Sequence, residues 1–90
     1  MDGSLKLRRF LDAQERVTTW PAKQQDKRLV LAYLATKFEA ERHYTEKEVN
    51  ALLNAWHTFA DYALLRRYLF DYSWLDRERD GSRYWRPHLI

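Results

Sequence analysis

Apolar residues recur at helical spacing along most of this chain. Val49, Leu52, Leu53 and Trp56 stand at i, i+3, i+4 and i+7, which predicts an amphipathic helix over about 46–57. Tyr62, Leu65, Leu69 and Tyr72, with Tyr68 alongside, form a second stripe and predict a helix over 62–71. Upstream, the apolar residues from Leu29 to Ala35 surround the axis, so a buried central helix is expected over about 22–38. Leu5, Leu7, Phe10 and Leu11 suggest a short helix over 5–12, with Lys6, Arg8 and Arg9 on its exposed side.

Capping and turn residues mark the boundaries. Ser4 is a candidate cap for the first helix. The β-branched run at 16–20 reads as extended, and Trp20-Pro21 is a break because the residue before proline avoids helical angles. Residues 39–43 read as a polar connection, with Tyr44 beginning the return to the core. Thr45-Glu46-Lys47-Glu48 is a capping box, and Asp61 is the N-cap of the last helix. Between them, Thr58-Phe59-Ala60 makes a three-residue joint without the glycine often found there. Trp74-Leu75 and Asp76–Arg79 lead into an Asp80-Gly81-Ser82 turn, and Arg83–Arg86 returns as a strand before Pro87.

Helix, joint, helix, strand, Asp-Gly turn, strand is the outline of a winged helix-turn-helix. The expected fold is α+β and mostly helical: a three-helix core, a two-stranded β-hairpin wing and an N-terminal helical arm. The arm would take residues 1–20 and the winged-helix domain residues 21–90.

Composition narrows the class. Ninety residues make one domain, and 46% hydrophobic content with four Trp, six Tyr and four Phe is dense enough for a core. Without cysteine there is no disulfide framework and no thiolate metal site. His43, His57 and His88 lack metal-ligand spacing, and two glycines cannot build a phosphate-cradling loop. No nucleophile elbow or Ser-His-Asp arrangement is present, so neither an enzyme nor a cofactor is expected. The longest apolar run, 29–35, is too short to span a bilayer, and the N-terminus lacks a secretory pattern. A soluble cytoplasmic protein with no membrane contact is therefore expected. The net charge is +3, and residues 62–90 hold six basic against four acidic residues. That excess permits a nucleic-acid surface without demanding one.

From about Trp20 to Arg86 the chain resembles a family of small bacterial domains of unknown function. The resemblance rests on Pro21 with Lys23, Phe38 to Tyr44, Tyr44-Thr45-Glu46-Lys47-Glu48-Val49-Asn50, Asp61 with Ala63, and Leu65-Arg66-Arg67-Tyr68-Leu69. Asp71, Leu75-Asp76-Arg77 and Asp80-Gly81-Ser82-Arg83-Tyr84-Trp85 complete it. Phe70 and Ser73 stand where Val and Gly are expected. The resemblance implies a winged-helix-like fold and an association with helix-turn-helix transcriptional regulators. It implies no settled activity.

The candidate contacts are arginines. Arg66 and Arg67, on the last helix, suit phosphate or base-edge contact from a recognition helix in the major groove of duplex DNA. They equally suit a solvated face paired to Asp71 or Glu48. Arg77, Arg79, Arg83 and Arg86 belong to the hairpin, and Arg77, Arg79 and Arg83 are the expected phosphate contacts of a wing. Strand alternation would put Arg77 and Arg79 on one side and Asp76, Glu78 and Asp80 on the other. Cross-strand ion pairing is the competing reading. Trp56, Tyr68, Tyr72, Trp74, Tyr84 and Trp85 could stack bases, although their spacing favours the core. The functional expectation is a DNA-binding, transcription-regulating module. The alternative is a protein-interaction domain with Phe70 and Trp74 exposed beside the arginine pair, or a homodimer formed through Leu5–Leu11.

Overall fold

In the computed structural model, which describes residues 3–87, the apolar stripes close on one another as four helices and one small sheet. The helices are α1 (Gly3–Arg8), α2 (Gln24–Ala35), α3 (Glu46–Trp56) and α4 (Tyr62–Asp71). Three short strands, β1 (His43–Tyr44), β2 (Asp76–Arg77) and β3 (Tyr84–Trp85), form an antiparallel sheet in the order β1-β3-β2. This α+β arrangement is compatible with a winged-helix-like fold. The tail with His88 lies outside the described residues.

Val30, Leu31 and Leu34 of α2 meet Val49 and Leu53 of α3 and Leu65 and Leu69 of α4 in one core, all fully buried. α2 is shorter than its apolar pattern suggests. Lys23, after Pro21, keeps extended angles, so the helix starts at Gln24. At the other end, the Thr36, Lys37 and Phe38 amides bond to carbonyls three residues back, at 3.0–3.1 Å, which tightens the last turn. α1 likewise ends at Arg8 rather than Asp12, and Ser4 stands inside it rather than at its cap. Leu5 remains 69% exposed.

The segment around Val17 is extended and fully buried. The Val17 amide donates to the Trp56 carbonyl at 2.8 Å, and the Val17 carbonyl accepts from the Thr58 amide at 2.9 Å. Residues 16–18 are thus stitched to the end of α3. The turn before them is held by Asp12, whose carboxylate accepts from the Arg16 amide at 2.8 Å and from the Arg16 side chain. These bonds, the Arg16 amide first, lower the Asp12 pKa. α1 is pinned to α2 by Lys6, whose ammonium lies 3.0 Å from the buried Asp26 carboxylate. The same Asp26 oxygen has no hydrogen bond of good geometry, so this ion pair is its compensation.

The capping box forms as expected. The Glu48 amide donates to the Thr45 hydroxyl at 3.1 Å, and the Thr45 amide donates to the Glu48 carboxylate at 2.8 Å. Asp61 caps α4 by accepting from the Leu64 amide at 3.2 Å. The joint between them is locked by His57, which is buried. Its Nδ1 lies 2.6 Å from the Leu53 carbonyl, and its Nε2 accepts from the Asp61 amide at 2.9 Å. An acceptor at one nitrogen and a donor at the other select the neutral Nδ1–H tautomer. Ala60 takes φ +54°, the left-handed region where glycine would rest unstrained.

The corner after α4 closes by the same means. Ser73 has φ +65°, its amide donates to the Phe70 carbonyl at 3.0 Å, and the Trp74 amide donates to the Leu69 carbonyl at 2.8 Å. That pair of bonds is a Schellman motif, with serine in the position that favours glycine.

The sheet departs from expectation in its third strand. β1 occupies part of the stretch read as connection, pairing His43 with Trp85 and Tyr44 with Tyr84. Tyr44 and Tyr84 point into the core, and the Phe38 ring meets Tyr44 edge-on at 5.2 Å. The hairpin pairs Asp76 with Trp85 and Arg77 with Tyr84. Pairing stops sooner than the sequence suggests: the Glu78 amide donates to the Arg83 carbonyl at 2.9 Å, and the Gly81 amide returns to the Glu78 carbonyl at 2.9 Å. Residues 79–82 are therefore loop, with Gly81 at φ +76°. The alternation expected of Arg77 and Arg79 does not extend to Arg79, because the chain turns before reaching it.

Candidate functional site

The exposed side of α4 and the hairpin beside it enclose an open cleft lined by Glu46, Arg66, Arg67, Phe70, Asp71, Arg77 and Tyr84. A shallow groove along α4 itself, lined by Ala63, Leu64, Arg66, Arg67, Tyr68 and Asp71, runs into it. The fold thus brings three of the five expected arginines together. Arg79 and Arg83 lie at the end of the hairpin, exposed, Arg79 in its loop and Arg83 just before β3.

Neighbours in sequence, Arg66 and Arg67 have different settings. The Arg66 side chain is 21% exposed and braced against α3: it donates to the Asn50 side-chain oxygen Oδ1 and lies 3.9 Å from Glu46. The Tyr62 ring centroid is 5.9 Å from its guanidinium. Arg67 is 82% exposed, and its one ion pair is a loose 3.7 Å contact one turn along, to Asp71. Such exposed pairs contribute about 0–1 kcal/mol, so Arg67 can exchange this partner for another at little cost. Of the two acids offered by the sequence, Asp71 is a partner and Glu48 is not, since Glu48 is committed to the capping box. Asn50 and Glu46 are missed by sequence reading as the partners of Arg66. Nothing local signals them, because they lie across the α3–α4 crossing.

On the hairpin, the expected cross-strand ion pairs are absent among the described residues: Arg77, Arg79 and Arg83 have no carboxylate in ion-pairing range. Two of the hairpin's three acids, Asp76 and Asp80, are turned to the backbone. Asp76 accepts from the Arg77 amide at 2.8 Å, and Asp80 accepts from the Ser82 amide at 2.9 Å. Hydrogen bonding to the Ser82 side chain, then to its amide, lowers the Asp80 pKa. Arg77 rests on the Phe70 ring, 4.5 Å from its centroid. Phe70 and Trp74 are half-buried rather than exposed: Phe70 lines the cleft beside the arginine pair, and Trp74 packs against the core. Of the six candidate stacking aromatics, Tyr84 is buried and the other five are half-buried.

Glu46 and Asp71 are the acids lining the cleft, and Glu46 bridges two of its other residues. The Glu46 carboxylate accepts from the Tyr84 hydroxyl at 3.3 Å as well as facing Arg66. Among the described residues no group of three His, Cys, Asp or Glu could hold a metal ion, and no helix is long and apolar enough to cross a membrane.

A helical face bearing one exposed, loosely paired arginine, beside a short hairpin whose arginines have no ion pair among the described residues, defines a small α+β module with a polar, cationic edge. Residues 16–86 match the model of the family described as "Uncharacterized protein conserved in bacteria (DUF2087)", and the chain belongs to that family. The match begins beside Val17, the residue stitched to the end of α3. No curated protein and no solved structure matches the chain significantly.

Proposed function

We propose that this chain is a cytoplasmic winged-helix module that binds duplex DNA in transcription regulation and carries out no chemistry of its own. α4 is the recognition helix and the hairpin, residues 74–86, is the wing. The winged-helix reading is supported by the order helix, strand, helix, joint, helix, hairpin and by a sheet with β3 between β1 and β2. The DNA reading is carried by one observation: among the described residues Arg77, Arg79 and Arg83 have no ion-pair partner, along the edge that adjoins the exposed Arg67. Such cations exchange solvent and counterions for phosphate without breaking an internal bridge. Arg66 is a more constrained contact, aimed by Asn50 and Glu46, and suits a fixed position at the groove edge.

A fluorescence-anisotropy titration of a labelled duplex against salt tests this. With three or four phosphate contacts from α4 and the hairpin alone, log K should fall against log salt with a slope at least as steep as about −3. The variant Arg79→Gln/Arg83→Gln should bind more weakly and lower the slope by about 2. Absence of duplex binding at low salt would sink the proposal.

The alternative, a protein-interaction domain, draws on Glu46 and Asp71, acids inside the cleft that would repel phosphate and suit a partner with cations of its own. Pull-down from cell extract with and without nuclease separates the two. Partners that survive nuclease treatment and compete with nothing on duplex favour the second reading.

A further inference from the structure

We propose that Lys23, Lys27 and Arg28 at the start of α2 form a second phosphate-binding flank, so that α4 is bracketed by cations on both sides. The proposal rests on the duplex-binding reading and extends it to residues on another helix. Taking Arg67 as the outward direction of α4, Phe70 lies about 60° round in one sense and Tyr68 about 100° round in the other, by helical geometry. Each flank holds cations. On the hairpin side, Arg77 sits on Phe70 at 4.5 Å. On the opposite side, the Lys27 ammonium is 5.8 Å from the Tyr68 centroid and 5.9 Å from that of Trp20. Arg28 lies 5.6 Å from the Tyr72 centroid. Tyr72 is itself tied to α2, its hydroxyl accepting from Gln24 at 2.6 Å.

Both flanks therefore use aromatic residues of α4 to place cations beside its exposed ridge. Those on α2 are not consumed internally: among the described residues no carboxylate pairs with Lys23, Lys27 or Arg28. The one acid in their stretch, Asp26, is turned away and engaged by Lys6. A helix about 10–12 Å across fills a major groove about 12 Å wide. Whatever projects from its two flanks then meets the two phosphate strands that border the groove. One strand falls to the hairpin, the other to the start of α2.

The test is the salt titration described above, applied to Lys23→Gln/Arg28→Gln, two exposed positions whose change leaves Lys27 in its packing. Arg42→Gln is the control, because Arg42 is exposed beyond the far end of α2 and paired to Glu39. The double variant should keep the wild-type melting temperature and lower the salt slope by about 2, one phosphate for each cation. The control should leave the slope unchanged. A wild-type slope in the double variant, with duplex still bound, overturns the second flank and leaves the duplex reading standing. If the wild-type chain itself fails to bind duplex, both fall together.

Discussion

The helical core and the hairpin are built on opposite terms. In the core the caps and the joint are held by specific partners: Thr45 with Glu48, Asp61 with the Leu64 amide, His57 with both Leu53 and Asp61, Arg66 with Asn50. In the hairpin only Leu75 and Tyr84 are buried, the strands are two residues long, and three arginines have no ion-pair partner among the described residues. Rigidity resides in one region and uncommitted charge in the other. A binding surface benefits from that division, because a cation already paired must give up its partner before taking a new one.

Changes to the core should have the largest effects. Leu69→Ala, in the fully buried stripe of α4, should lower stability by about 3 kcal/mol in urea unfolding. A loss below about 1 kcal/mol would mean the core relaxes around the cavity. His57→Ala should cost about 2–3 kcal/mol, since it strands the Asp61 amide and removes the ring that packs on Phe59 at 4.7 Å. His57→Gln should recover part of this; equal losses in both variants would show that packing, not hydrogen bonding, is what the ring supplies. Ser73→Gly should stabilise by about 0.5–1 kcal/mol by relieving the left-handed strain at φ +65°, seen as a melting temperature several degrees higher. An unchanged or lower melting temperature would show that the serine side chain makes up for its backbone.

The smallest effect belongs to the hairpin loop. The Asp80 pKa is lowered from its ordinary 3.8 by Ser82, so its contribution is complete above pH 3.8 and is lost as pH falls through the lowered value. The Ser82 amide resonance should titrate with Asp80 below pH 3.8, ahead of global unfolding. Titration at or above that pH would remove the hydrogen bond as the cause of the loop's shape.

Much of this division can be read from the sequence, and what can be read is local. The capping box, the Asp61 cap and the Gly81 turn each involve residues within four of one another, so composition and spacing suffice. Ser73 and Ala60 were legible only as glycines missing from expected places; their positive φ angles show that the backbone still takes the shape glycine would. What escaped is non-local. β1 is a strand only because Trp85 and Tyr84 lie beside it, and nothing in His43-Tyr44 announces a partner forty residues away. Val17 is buried because of Trp56 and Thr58. The candidate site divides the same way. The arginines were visible as residues, but whether each was free depended on helix crossings. The arginine pair was offered Asp71 and Glu48 as partners, and Arg66 found Asn50 instead, across the α3–α4 crossing.

The strand order has a kinetic consequence. β3, the last strand in the chain, lies at the centre of the sheet, and β1 touches nothing else in it. The β2–β3 hairpin can close on microseconds because its ends are near one another, whereas β1 must wait for a loop of some forty residues to close. Tyr44, buried in the finished fold and paired with Tyr84, therefore makes its strand contact across the longer of the two closures. The contact of the hairpin with α4 is local by comparison, Arg77 sitting on Phe70 seven residues back, so the proposed binding edge does not depend on the long closure.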